Sequence, residues 1–277
     1  MIALLQTARE RTLLMHSATP LPDEHATERA PALELIGLTK TFGPTVAVDH
    51  VNLTVPAGSF FGLVGPNGAG KTTALSMAVG LLRPDAGTAR TFGVDVWGDP
   101  VRAKELLGVL PDGLSVPERL TGRELLMYLG LLRGMDRETV EARTQSLLEV
   151  LGLDTAERTL LIQYSAGMRK KIGLATAMLH NPRLLVLDEP FEAVDPVSAY
   201  TVRKILDQFV ASGGSVIMSS HVMALVEQIC DHVAIIASGR VLATGSLDEV
   251  RNGRDLEAAF IDLVGLHDSG EGLPWLS

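Results

Sequence analysis

Cysteine is almost missing from this chain of 277 residues: Cys230 stands alone, so no internal disulfide braces the fold, and its apolar surroundings suggest a buried structural thiol in a reducing cytosol. Long apolar runs are missing too. No stretch approaches the roughly 18 consecutive apolar residues of a spanning helix, so the chain is not expected to cross a bilayer. Between Met1 and Met15, Arg9, Glu10 and Arg11 interrupt the apolar residues and no charged segment precedes them, which argues against a secretory signal; Met15 is a second candidate start. A basic surplus is also lacking. With 24 Lys and Arg against 33 Asp and Glu, the net charge is -9, and no nucleic-acid partner is expected. The one local basic cluster, Arg169-Lys170-Lys171, reads as a solvated helix face.

What is present is the composition of a packed domain, with 46% hydrophobic and 21% charged residues. Residues 1–31 carry mixed charge and the prolines Pro20, Pro22 and Pro31 without sustained periodicity, and read as a flexible N-terminal extension. From Leu33 to Leu38 and from Ala47 to Val55, apolar and polar residues alternate as in half-buried strands. Residues 112–163 change character. Thr121-Gly122-Arg123-Glu124 is a capping box opening one helix, and a second helix is expected from about Glu138 to Leu151, so this stretch reads as a helical insertion. Afterwards short apolar runs (Leu184 to Leu187, Ser215 to Met218, Val233 to Ile236) alternate with helices, the pattern of parallel strands buried on both faces. A further capping box, Ser246 to Glu249, leads into a tail, residues 251–277, with an amphipathic helix over Leu256 to Val264.

The segment Gly65-Pro66-Asn67-Gly68-Ala69-Gly70-Lys71-Thr72, followed by Thr73, reads G-x-x-x-x-G-K-T. An apolar strand, Phe60 to Val64, precedes it and a helical pattern, Thr72 to Leu82, follows it, which is the setting such a loop needs. The glycines let successive backbone N–H groups face inward, and the following helix adds the positive end of its dipole, so a triphosphate is the natural guest. Lys71 is placed to reach the β- and γ-phosphates, and the Thr72 hydroxyl to ligate the Mg²⁺ bridging them. Mg²⁺ also needs a carboxylate. The strand Leu184 to Leu187 ends in Asp188-Glu189-Pro190, at the edge of a parallel sheet where ligands bind; Asp188 is expected on the metal and Glu189 on the attacking water.

These residues resemble the ATP-binding cassette (ABC) proteins. Tyr164-Ser165-Ala166-Gly167-Met168 is similar to that family's signature sequence, Ala193-Val194-Asp195-Pro196 to its D-loop, Ser219-Ser220-His221 to its switch histidine, and Phe42 to the aromatic that stacks on adenine. The resemblance covers about Leu33 to Val250 with the motifs in family order. It implies an α/β fold: a P-loop NTPase core with a mostly parallel sheet, an N-terminal antiparallel β layer and an inserted helical subdomain, together spanning residues 32–250. It also implies ATP and Mg²⁺ as cofactors, ATP hydrolysis involving Lys71, Glu189 and His221, and a dimer in which Ser165, Ala166 and Gly167 meet the nucleotide held by the other subunit, with Asp195 also among the nucleotide-binding residues.

Three departures stand out. Where the family places a glutamine after Leu110-Pro111, this chain has Asp112, and no glutamine occurs between Gln6 and Gln145. Asp112 keeps the ability to accept from Mg²⁺-bound water and loses the amide donors. The signature ends in Met168, and Phe191 follows Glu189-Pro190; both resemble exporter-type, antibiotic-export-like members. The resemblance therefore implies an ATPase subunit, homodimeric or heterodimeric, on the cytoplasmic face of the cell membrane, powering a permease on a separate chain. The alternative is a soluble ABC ATPase in cofactor assembly or another non-transport role.

Overall fold

A computed structural model describes residues 30–113 and 116–265. Two sheets carry the fold. The first is antiparallel, in the order β2-β1-β4-β5, from β1 (Leu33–Phe42), β2 (Thr45–Val55), β4 (Ala86–Thr91) and β5 (Val94–Asp95). The second has the order β10-β9-β3-β8-β7-β6, from β3 (Phe60–Val64), β6 (Leu107–Leu110), β7 (Leu184–Leu187), β8 (Ser215–Ser220), β9 (His232–Ala237) and β10 (Arg240–Ser246). Its strands run parallel from β9 to β6, and only β10 is antiparallel.

The apolar runs of the large sheet are buried on both faces, as expected. Successive side chains of a strand point to opposite sides, and the core divides accordingly. Phe61, Leu63, Val186, Ile217, Ala234 and Ile236 face a core shared with the antiparallel sheet. Phe60, Val64, Leu185, Leu187, Met218 and Ile235 face a second core, which extends into the helical insertion through Leu126, Leu148 and Ile172.

The helices are α1 (Lys71–Ala78), α2 (Pro100–Leu106), α3 (Gly122–Leu132), α4 (Arg137–Val150), α5 (Ala166–Met178), α6 (Pro196–Ala211), α7 (Met223–Ile229), α8 (Leu247–Arg251) and α9 (Leu256–Val264). Both expected capping boxes are present, Thr121 with Glu124 and Ser246 with Glu249. The helix after the glycine loop is shorter than its apolar pattern: Gly80, at φ +78°, turns the chain left-handed, and the N–H groups of Leu81 and Leu82 return to the Ser76 carbonyl. Cys230 is buried, and burial pushes its thiol far above the usual range, which disfavours the thiolate. Among the described residues no helix is long and apolar enough to cross a membrane. The expected extension falls almost wholly on residues 1–29, and the end of the tail on 266–277, both outside the described residues.

Candidate active site

Parallel pairing brings the site together. Val64 on β3 lies opposite Ser220 on β8, and Leu187 on β7 opposite Met218, so the glycine loop, His221 and the Asp188-Glu189 pair all leave the same edge of the sheet. The loop closes on backbone that no side chain could approach. A Cβ at Gly65 would lie 2.0 Å from the Ile236 carbonyl oxygen, and one at Gly70, whose φ is +101°, would lie 2.4 Å from that of Ala47. These two positions need glycine for close approach and, at Gly70, for its left-handed backbone.

Lys71, only 6% exposed, folds back over the loop: its Nζ donates to the Gly65 carbonyl at 2.8 Å and the Pro66 carbonyl at 3.3 Å, and lies 3.5 Å from Glu189 Oε1. The other carboxylate oxygen of Glu189 is 3.1 Å from His221 Nδ1. Glu189 therefore sits between a lysine and an imidazole at the mouth of the loop. Its φ of +46° is left-handed for a non-glycine residue, a conformation that persists only where the surroundings impose it.

Asp188 is 5% exposed, and Ser219 Oγ donates to its Oδ1 at 2.5 Å. The same hydroxyl accepts from the Glu189 N–H at 2.9 Å. Among the described residues no cation pairs with the Asp188 carboxylate, although a buried carboxylate calls for compensating charge. Thr72, Asp112 and Asp188 line one cavity of about 70 Å³. A hydroxyl and two carboxylates form a hard oxygen donor set that suits Mg²⁺.

The other expected residues lie elsewhere. Phe42, at the end of β1, is 50% exposed and carries Lys40 Nζ 5.7 Å from its ring centre, so it is not a core residue and keeps an open ring face. Ser165 is the N-cap of α5, accepting from the Met168 N–H at 3.2 Å, and Ala166 and Gly167 begin that helix. Asp195 caps α6 through the N–H groups of Val197 and Ser198, and the bonds from Ser198 hold its carboxyl below the usual carboxylate range. A Cβ at Gly167 would lie 3.5 Å from Asp195 Oδ2, so these two motifs adjoin. Among the described residues, no hydrogen bond or ion pair joins Ser165, Gly167 or Asp195 to the glycine loop.

Two residues of the site escaped the sequence reading. Ser219 shows no role of its own beside His221 in the sequence, yet the β7–β8 pairing, with Leu187 opposite Met218, brings its hydroxyl onto Asp188. Lys170 corrects the reading of Arg169 to Lys171 as a solvated face: its Nζ donates to the Glu189 carbonyl at 2.8 Å. Ser219→Ala strands a buried carboxylate oxygen and an N–H together, and we expect it to lower stability by about 1–3 kcal/mol in denaturant titration. A change below about 0.5 kcal/mol, the range of ordinary surface substitutions, would show that the hydroxyl is not holding the turn.

Residues 48–192 match the ABC transporter family. The chain is 39% identical to the daunorubicin/doxorubicin resistance ATP-binding protein DrrA of Streptomyces peucetius, over 82% of this chain and 68% of that one. It is 36% identical to the bacitracin transport ATP-binding protein BcrA of Enterococcus faecalis, over 79% of this chain and 70% of that one. A solved ATP-binding subunit of an ABC transporter superposes with a TM-score of 0.78 at 28% identity, covering 84% of this chain and 99% of that one. With the glycine loop, the adjacent Asp-Glu pair and the histidine gathered at one sheet edge, these likenesses lead to one conclusion: the chain belongs to the ABC transporter family, as an ATP-binding, ATP-hydrolysing subunit.

Proposed function

We propose that this chain binds ATP with Mg²⁺ in its glycine loop, pairs with a second ATPase subunit, and drives export through a permease on a separate chain at the cytoplasmic face of the membrane. The observation that carries the reading is the Glu189 carboxylate, held between Lys71 at 3.5 Å and His221 at 3.1 Å. With a triphosphate in the loop, Lys71 turns from the loop carbonyls toward the β- and γ-phosphates, Phe42 stacks on adenine, and the N–H groups of residues 65–73 cradle the phosphate chain. Asp188 and Thr72, with Asp112 beside them, would hold Mg²⁺, which would supply positive charge against the phosphates. Glu189 accepts a proton from the attacking water, and His221 fixes the carboxylate and contacts the γ-phosphate.

The separation of the parts supports the dimer. Ser165, with Ala166, Gly167 and Asp195, forms a second phosphate-facing surface with no bond to the chain's own loop, which supports its use on a partner's nucleotide. The ATPase unit is residues 32–250, with residues 112–163 as its helical insertion. Exposed apolar side chains at Val101 on α2 and at Tyr128 and Leu132 on α3 support a membrane-protein contact there. The drug-resistance and antibiotic-transport names of the two relatives support export.

Affinity purification of the full chain from solubilised membranes should recover a protein with about six apolar spans of roughly 20 residues, and ATP turnover of that complex should rise with its cargo. Recovery of the chain only from the aqueous fraction, fully active and alone, would defeat the transporter reading.

A further inference from the structure

Helix α5 opens at Ser165, and five residues later Lys170 turns inward. Its side chain is 17% exposed, and its Nζ lies 2.8 Å from the Glu189 carbonyl, 3.5 Å from the Asp188 carbonyl and 3.7 Å from Asp112 Oδ1. An ammonium only donates, and oxygens of two separate segments face this one: two backbone carbonyls accept its hydrogen bonds, and the Asp112 carboxylate stands beyond hydrogen-bond distance as a counter-charge. One segment is the turn after β7. The other is the residue that replaces the family glutamine after β6.

The turn needs this support. Glu189 holds a left-handed φ of +46°, its N–H is fixed by Ser219, and its carbonyl is fixed by Lys170. Together the two bonds set the direction in which the carboxylate leaves the backbone. Asp112, itself 52% exposed, supplies the largely covered lysine with a counter-charge that an amide at that position would not.

We propose that Lys170 is a positioning residue which, with Asp112 as its counter-ion, ties the helix presenting Ser165 to one nucleotide to the turn presenting Glu189 to the other. This rests on the dimer reading above. When a partner's nucleotide draws the start of α5 toward it, the shift reaches Glu189 of the same subunit through Lys170, so each half-site senses whether its counterpart is filled. Asp112 thus replaces the glutamine with an ionic link.

The test is steady-state MgATP hydrolysis by the purified full chain. Lys170→Gln is expected to lower kcat about tenfold or more while KM stays within about twofold, the signature of lost transition-state geometry rather than lost binding. Lys170→Arg, which keeps the charge and the donors, should restore most of kcat. Asp112→Asn should lower kcat alone and have little further effect in the Lys170→Gln background, because the two act as one unit. A kcat within about twofold of the parent for Lys170→Gln, an equal loss in KM, or no recovery with Arg would overturn the proposal. Should Lys170→Gln not fold, Asp112→Asn and Asp112→Glu are compared across a Mg²⁺ titration: a fall in kcat with Asn that excess Mg²⁺ does not restore and that Glu recovers supports the link, and any other pattern overturns it. A parent protein that does not hydrolyse ATP would instead sink the functional reading itself, whereas an active parent with an unaffected Lys170→Gln sinks only this link.

Discussion

Glu189→Gln is expected to keep ATP bound while slowing its hydrolysis by about 10²–10⁴-fold, the range attributed to a positioned general base. The substitution is nearly isosteric. The backbone bonds to Ser219 and Lys170 do not involve the side chain, so the left-handed turn stays in place. The amide still offers an oxygen toward Lys71, but it cannot take a proton from water. Removing a negative charge beside the phosphates also favours nucleotide retention, so affinity should be equal or tighter. Phosphate release in a single turnover, paired with titration of a fluorescent ATP analogue, separates the two effects. Undiminished turnover would remove Glu189 from its role and direct attention to His221.

The second large effect is on assembly. Ser165→Arg places a long cation at the exposed N-terminus of α5, removes the cap that Met168 N–H requires, and sets a positive charge against the positive end of the helix dipole. If Ser165 faces the partner's γ-phosphate, the larger side chain prevents closure. The Glu189→Gln chain with ATP should sediment as a dimer, and the Glu189→Gln, Ser165→Arg chain as a monomer under the same conditions. Nucleotide binding by the monomer should persist, since no bond joins Ser165 to its own glycine loop. An unchanged dimer would refute the shared-site arrangement.

Much of the architecture was legible because it is written in short-range patterns. Apolar runs at Leu184 to Leu187 and Val233 to Ile236 announced doubly buried strands, and capping boxes at Thr121 and Ser246 announced helix starts, since in each the signal and its cause lie within a few residues. Three elements leave little trace in the sequence, the two-residue strand β5 among them. Helix α2 has Asp99 as its cap and Pro100 at its first position but only a short apolar face, with Ala103 alone fully buried. Strand β10 reads weakly because it is a half-exposed edge, and its clue was the turn Ser238-Gly239, with φ values of +48° and +76°. After the glycine loop the apolar pattern runs past the end of the helix, because the backbone turns left-handed at Gly80.

The sequence by itself determined the chemistry available: a loop whose glycines and lysine suit a phosphate chain, an acidic pair ending a buried strand, and a serine opening a helix. Those choices are local, set by backbone freedom at Gly65 and Gly70 and by the ionisable groups at Lys71, Asp188 and Glu189. Only the tertiary structure decided how they meet. Parallel pairing of β3, β8 and β7 placed Lys71, His221 and Glu189 within contact distance, set Ser219 against Asp188, and turned Lys170 from an expected surface charge into a tie across the domain. The physical reason is that partners such as Ser219 and Asp188, 31 residues apart, are chosen by strand register and shared burial, and neither leaves a pattern in adjacent residues.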